Sequence, residues 1–458
     1  MNINNLQVQF QTAVESANTL AAADNVNSTM YYIELAKAAQ SFNMGQIRTI
    51  DQTCNLPNVS VHEGWLYFVQ NVDRLYFSNG NVWSQVSPDP VYNNVTWAWG
   101  KNNCGQLGDN TTVSKSSPVS VVGGFTNWCQ VSSGYNHTLA VRTNGTAWGW
   151  GNGIGGRLGD NTEVAKSSPV SVVGGFTDWC QVSAGNFTSL GVRSNGTAWG
   201  WGYRDNGGLG NNTGSGAVVT SPVSVVGGFT DWCQVAASPN GAGRGHGVKQ
   251  DGTLWSWGYN GQGQLGDNTN VNKSSPVSVV GGFTNWCQVS AGYFTAAVRQ
   301  DGTLYAWGDN TCGRLGDNTV VSKRSPVSVV GGFTDWCQVS ASTHALAVRT
   351  NGTAWSWGSG ANGRLGNNCT TNRSSPVSVV GGFTDWCQVS AGYKIGIGLR
   401  QNGTVWAWGY NLYGNLGDNC ETARSSPVSI VGGYTDWVCI SYPQHFYHAL
   451  AIRSTRTS

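Results

Sequence analysis

The side chains of this chain most able to do chemistry are histidines, cysteines and aspartates, and most of them recur at fixed intervals. His137, His344 and His448 share one register of a repeated segment, so whole repeats separate them and they do not gather around zinc. The pattern predicts an imidazole hydrogen-bonded inside its own repeat. Cys129, Cys180, Cys233, Cys287, Cys337 and Cys387 also share one register, too far apart to bridge, and read as small buried apolar side chains. Cys104, Cys312, Cys369 and Cys420 fall in loops, and the common register of Cys369 and Cys420 in neighbouring copies leaves a disulfide open. Asp109, Asp160, Asp267, Asp317 and Asp418 follow Leu-Gly; Asn211 and Asn367 replace them in two copies, which favours turn capping over calcium binding. Residues 151–156 and 358–363 satisfy G-x-G-x-x-G after a strand, but no helix follows to hold a pyrophosphate. No G-x-S-x-G, cysteine–histidine pairing or carboxylate pair stands out. These residues predict no enzyme, no cofactor and no metal site.

A repeat positions them. W-x-W-G, a glycine-rich loop, L-G-D/N, S-P-V-S-V-V-G-G-F-T-D/N-W-C-Q-V and a strand ending in Arg or Lys recur between Trp97 and Trp437. The W-x-W-G glycines are Gly100, Gly151, Gly202, Gly258, Gly308, Gly358 and Gly409, a period of 50 or 51 residues with one step of 56. That length suits one four-stranded blade, so we expect a mainly β protein with a seven-bladed β-propeller over residues 91–458. Asn-Gly or Asp-Gly turns join two strands in six copies, from Asn144-Gly145 to Asn402-Gly403. The seventh hairpin is split between the chain ends, which predicts pairing of residues 95–99 with 449–453 and no open seam.

Residues 1–90 are different. Leu6, Phe10, Ala13, Val14, Ala17, Leu20 and Ala21 have helical spacing, and residues 1–50 are expected to form a helical anchor or oligomerisation segment. Residues 51–90 read as a small β-meander with a turn at Asn79-Gly80; Trp83-Ser84-Gln85-Val86 also echoes W-C-Q-V and is compatible with a degenerate strand against the first blade. Charged residues are 10 % of the chain and the formal net charge is +2, which disfavours nucleic acid as a partner. No segment has the length of a membrane span, and the start lacks the pattern of a signal peptide.

The W-x-W-G and L-G-D/N elements, with Gly134-Tyr135-Asn136-His137, resemble the regulator of chromosome condensation repeat family over about four fifths of the chain. The resemblance implies a seven-bladed propeller that serves unrelated tasks in different members. A plant photoreceptor of the family uses G-W-R-H-T, where this chain has Gly134-Tyr135-Asn136-His137-Thr138. Leu56-Pro57-Asn58, Gly64 to Val69 and Leu75 to Trp83 are similar to a segment of tailed-bacteriophage structural proteins, particularly marine ones.

The copies agree in their strands and differ in two loops each, which marks those loops as the recognition surface. The candidate partner-binding residues are Tyr203, Arg204, Asp205, Asn240, Arg244, Tyr259, Tyr293, Phe294, Tyr393, Lys394, Tyr410, Tyr413, His445, Phe446 and Tyr447. Arg142, Arg193, Lys249, Arg299, Arg349, Arg400 and Arg453 read as solvated strand ends, with an anionic glycan as the alternative. The expectation is a non-enzymatic bacteriophage virion protein, assembled in the host cytoplasm. Residues 1–90 would bind other virion proteins or a second copy, and the loops would bind a host-surface glycan or protein. The alternative is a cellular protein-binding propeller, acting as scaffold or inhibitor.

Overall fold

The computed structural model describes the backbone of residues 47–50, 66–69, 74–78 and 83–85, and residues 92–456 except 215, 217, 239–242 and 442–447. The chain divides into two compact units, residues 1–92 with 456–458, and residues 93–455. In the first unit Leu66–Val69, Arg74–Ser78 and Trp83–Gln85 form an antiparallel run. Ile47–Ile50 joins it parallel to Leu66–Val69, beyond the helical spacing read in the sequence. The helices expected before it lie outside the described residues.

The second unit consists of seven four-stranded sheets. In the first blade, Trp128–Ser133, His137–Arg142, Ala147–Gly151 and Lys166–Ser171 pair in sequence order, all antiparallel. The tight Asn-Gly turn makes this possible, because Gly145 sits at φ +73°, a conformation that costs glycine little. The other inner strands are Trp179–Ala184, Trp232–Ala237, Trp286–Ala291, Trp336–Ala341, Trp386–Ala391 and Trp437–Ser441. The seventh sheet takes Trp437–Ser441 and His448–Arg456 from the end of the chain, and Tyr92–Gly100 and Lys115–Ser120 from nearer its start. This is the mainly β, seven-bladed propeller that the repeat predicts.

Each apolar core lies between two blades. Leu139, Val141, Ala147 and Val172 of the first pack against Trp179, Val182, Ala184 and Trp201 of the second. The second tryptophan of W-x-W-G is the wedge: Trp99, Trp150, Trp201, Trp257, Trp307, Trp357 and Trp408 are all 0 % exposed. A buried indole needs an acceptor for its N–H. Trp150 Nε1 donates to the Gln106 carbonyl at 3.0 Å and Trp201 Nε1 to that of Arg157 at 3.0 Å, with the same bond at all seven blade contacts. The acceptor stands just before Leu-Gly of the preceding blade, which ties those two motifs together. In the Leu-Gly pair a Cβ on Gly108 would fall 2.7 Å from the Trp150 indole nitrogen, so only glycine fits.

Candidate functional site

Alternating strand direction sorts the connections onto two ends of the ring. The loops after the inner strands and those after W-x-W-G emerge together at one, the loop end. The Asn-Gly and Asp-Gly turns and the G-G-F-T-D/N connections form the other, the turn end. The eleven described candidate residues belong to segments at or beside the loop end, so the two variable loops of each blade share one face.

The turn end pairs its own charges. Arg193 donates to Asp178 at 2.8 Å and its guanidinium lies 4.0 Å from the Phe176 ring centroid. Arg349 and Arg400 repeat this with Asp335 and Phe333, and with Asp385 and Phe383. Arg453 grips Asp436 through two hydrogen bonds and stacks 3.6 Å from the Tyr434 centroid. Arg142 uses Asn127 at 2.7 Å, Arg299 uses Asn285 at 2.7 Å, and Lys249 uses Asp231 at 3.0 Å. These side chains are therefore clamps between strand and connection, not the solvated strand ends expected from sequence. The F-T-D/N of the connection is the matching half.

The loop end has a different electrostatic character. Arg157, 1 % exposed, donates to the Ile154 and Asn186 carbonyls at 2.7 and 3.0 Å and lies 4.7 Å from the Phe187 centroid. Burial lowers its pKa to about 10. Arg314 pairs with Asp309 and lies 4.9 Å from the Tyr293 centroid. Arg157 and Arg204 have no carboxylate within ion-pair distance among the described residues. Aromatic rings accompany these cations. Tyr135 and Phe187 are 6.1 Å apart, Phe187 and Tyr203 5.4 Å, and Tyr293 and Tyr393 6.3 Å. Lys394 lies 4.7 Å from the Tyr410 centroid and Lys101 5.5 Å from that of Tyr413. Burial, and then neighbouring Tyr393, raises the Tyr293 phenol to about 12.

Two candidates are misplaced by the sequence reading. Arg244 and Phe294 are 0 % exposed, because each begins the second strand of its blade and faces the W-x-W-G glycine, the position held by His137 in the first blade. They fill the space between blades and are covered by the fold. Arg244 donates to Ser238 Oγ and to the Gly292 carbonyl of the next blade, and burial lowers its pKa to about 9. Tyr203, Arg204, Tyr259, Tyr293, Tyr393, Lys394, Tyr410 and Tyr413 are half-buried, and Asp205 is exposed. Asn240, His445, Phe446 and Tyr447 lie outside the described residues.

The histidines and cysteines also differ from expectation. His137 Nε2 meets Ser189 Oγ of the neighbouring blade at 3.2 Å, so its bond runs between blades and not within one. Neither ring nitrogen of His344 or His448 has a hydrogen-bond partner among the described residues. Burial holds all three imidazoles, and His246, below their usual pKa, with His448 at about 3. The six W-C-Q-V cysteines are exposed, not buried. Trp128 pairs with Arg142 and Gln130 with Val141, which leaves Cys129 as the extra residue of a β-bulge that turns it out of the core. Its Sγ still lies 3.3 Å from the Val141 carbonyl, and desolvation pushes the thiol pKa up, as it does for the equivalent Cys387, to about 11. Cys369 and Cys420 are both free thiols. Asp109 accepts from the Thr111 N–H and Oγ1, a turn cap, and Lys115 approaches it at 3.7 Å. The two G-x-G-x-x-G segments lead into 3-10 turns at Ile154–Gly156 and Ala361–Gly363.

The sequence reading missed the polar lining of the axis. Gln130 donates to the Val182 carbonyl at 2.8 Å and accepts from the Val182 N–H at 2.8 Å, so one side-chain amide pairs with the next blade's main chain like a strand. Gln234, Gln288, Gln338 and Gln388 repeat the double contact, and Gln181 accepts from the Val235 N–H at 2.7 Å. At the seventh blade Cys439 takes the glutamine register, and Ser441 with Ser133 joins the last blade to the first. A polar residue at every second inner-strand position was the available signal.

Closed blade by blade through indole–carbonyl and glutamine–backbone bonds, the second unit defines the class of ring-shaped repeat propellers. The Regulator of chromosome condensation (RCC1) repeat matches residues 94–141, 144–192, 251–298, 301–348 and 351–399, and a second form of the repeat matches 128–155, 179–207, 286–314 and 386–415. The chain belongs to this family. It is 27 % identical over 192 residues to the Ultraviolet-B receptor UVR8 of Arabidopsis thaliana, covering 40 % of this chain and 42 % of that one. It is 28 % identical over 190 residues to the human E3 ubiquitin-protein ligase HERC2, covering 40 % of this chain and 4 % of the ligase. The match thus spans less than half the length of either relative. Among solved structures, human WBSCR16 superposes with a TM-score of 0.70 at 19 % identity, over 79 % of this chain and 98 % of that one. Prp20p of Saccharomyces cerevisiae, characterised for its binding to Gsp1p and histones, gives a TM-score of 0.69 at 19 % identity over 80 % and 93 %. At these identities the structures show a shared fold. No described helix is long and apolar enough to cross a membrane.

Proposed function

We propose that the ring is a non-enzymatic protein-binding module that takes its partner on the loop end. The observation that carries this reading is the contrast between the ends. The turn end repeats one clamp from blade to blade, whereas the loop end carries half-buried tyrosines and Lys394 on segments whose sequence varies, beside arginines that are themselves buried. Tyr at such positions is among the side chains that dominate protein interfaces. Prp20p, which shares the fold, was characterised for binding Gsp1p and histones, and this supports a binding role without transferring those partners. The test is affinity capture with the full-length protein, its Tyr293→Ser/Tyr393→Ser variant and its Arg142→Ala variant, comparing bound proteins quantitatively. A partner retained by wild type and Arg142→Ala but lost by the tyrosine variant supports the reading. Loss with Arg142→Ala alone contradicts it.

A finer reading places the protein on a bacteriophage virion, with residues 1–90 attached to the particle. It rests on the sequence of residues 56–83, the near-identical tandem copies and the low charge, while the curated relatives above come from a plant and a mammal. Detection of the chain in purified particles of its source would support it; its absence there would leave the cellular scaffold or inhibitor.

A further inference from the structure

One blade contact is built differently from the rest. The first residue of the second strand faces the W-x-W-G glycine and closes the gap to the next blade; it is His137, Arg244, Phe294, His344 or Ile395 in five blades and, by register, His448 in the seventh. In the second blade it is Thr188, far smaller than any of these. The residue before it in the third blade is Gly243, where Phe187, Thr343 or Lys394 stands elsewhere. A cavity of about 190 Å³ remains at the loop end, lined by Phe187, Thr188, Tyr203, Asp205 and Gly243. Thr188 is 1 % exposed, lines this cavity, and its Oγ1 has no hydrogen-bond partner among the described residues. A buried hydroxyl left that way calls for an occupant with polar groups.

The walls restrict what that occupant is. Phe187 and Tyr203 pack edge to face, at 74° with centroids 5.4 Å apart, and both line the cavity, giving it an aromatic wall. Asp205 contributes an exposed carboxylate, while the Arg157 guanidinium stacked on Phe187 brings the opposite charge. The mixed field favours neither a lone cation nor a lone anion. It suits an uncharged molecule that carries C–H faces for the rings and hydroxyls that donate to Asp205 and bond to Thr188. The volume is well below the roughly 300–1,000 Å³ of sites for drug-sized ligands, which limits the occupant to a single ring.

We propose that the cleft between the second and third blades binds one pyranose unit of a glycan, in addition to the protein-binding role of the loop end and independent of it. The test is saturation-transfer NMR on the full-length protein with the methyl pyranosides of glucose, galactose, mannose and N-acetylglucosamine at millimolar concentration. N-acetyl-lysine methylamide and N-acetyl-glutamate methylamide serve as side-chain probes. At least one pyranoside should receive saturation from the wild type. Thr188→His, which installs the residue of the first blade, should abolish that signal, and Asp205→Asn should weaken binding by about tenfold, the loss of one charged hydrogen-bond acceptor. If Thr188→His does not fold by tryptophan fluorescence, Tyr203→Ala decides in the same way. The proposal is overturned if no pyranoside is saturated, if the signal survives both cavity variants, or if only the amide probes bind, which would make the cleft an anchor for a partner's side chain. Partner capture in the face-variant experiment is untouched by any of these results, so the two readings fail separately.

Discussion

The two ends of the ring use the same kinds of residue for opposite purposes. At the turn end an arginine, an aromatic ring and an Asp or Asn recur in a fixed triplet, and the charge is spent inside the fold. At the loop end the stacked arginines, Arg157, Arg314 and Arg364, stand before Leu-Gly in three copies only, their acceptors are mostly main-chain carbonyls, and Gln, Gly or Asn holds that position in the other copies. Repetition therefore marks the part that holds the blades, and departure from repetition marks the part open to a partner.

Acid should break the comparison most strongly. Burial keeps His137, His246, His344 and His448 neutral in the folded ring, whereas unfolded imidazoles take up protons below about 6.5. Because the folded pKa values are lowered, stability is full above pH 6.5 and falls as pH drops through it, down to about 3 for His448. Each imidazole adds about 1.4 kcal/mol per pH unit in that window, roughly 5 kcal/mol for all four. Urea midpoints between neutral and mildly acidic pH would check this, and His448→Phe, which copies Phe294 of another blade, should flatten the slope by about one proton.

At the turn end, Arg453→Ala should lower unfolding stability by about 2–3 kcal/mol, since it removes a two-bond ion pair and a stack and leaves Asp436 unpaired. Arg142→Ala should cost less, about 1 kcal/mol, because Asn127 carries no charge to strand. Along the axis, Gln338→Ala removes the bonds to both Val389 main-chain groups and should cost about 1–2 kcal/mol. Cys439→Gln should stabilise the closing seam by about 0.5–1.5 kcal/mol by supplying the missing copy of that contact. All are readable as shifts of the denaturant midpoint. The smallest effect belongs to the loop end: Tyr293→Ser/Tyr393→Ser should change stability by about 1 kcal/mol or less while removing partner binding.

How much of this was legible in the sequence follows from where the information sits. W-x-W-G, the Asn-Gly and Asp-Gly turns and the split hairpin are local patterns, and they define blade, count and closure without coordinates. Cys129 was misread because a single bulged residue reverses the alternation that follows Trp128, and a bulge has no strong sequence mark of its own. Arg244 and Phe294 looked like variable-loop residues, yet counting back five positions from the strand-ending Lys249 and Arg299 puts both at the buried register of His137. The clamp and the glutamine ladder were hidden because each joins residues one repeat part to another, Arg193 to Asp178 or Gln130 to Val182, and such pairing depends on how strands and blades face each other. The cleft at Thr188 was invisible for the same reason, since a missing side chain matters only where two blades meet.

The central claim, that recognition belongs to the loop end, is tested most directly by hydrogen–deuterium exchange of the full-length protein with and without its captured partner. Protection concentrated in residues 134–136, 185–187, 203–207, 292–293 and 392–394, with the connections around Phe125, Phe176 and Phe333 unchanged, is the predicted result. Protection of those connections and of the Asn-Gly turns, with the loops still exchanging freely, would contradict it.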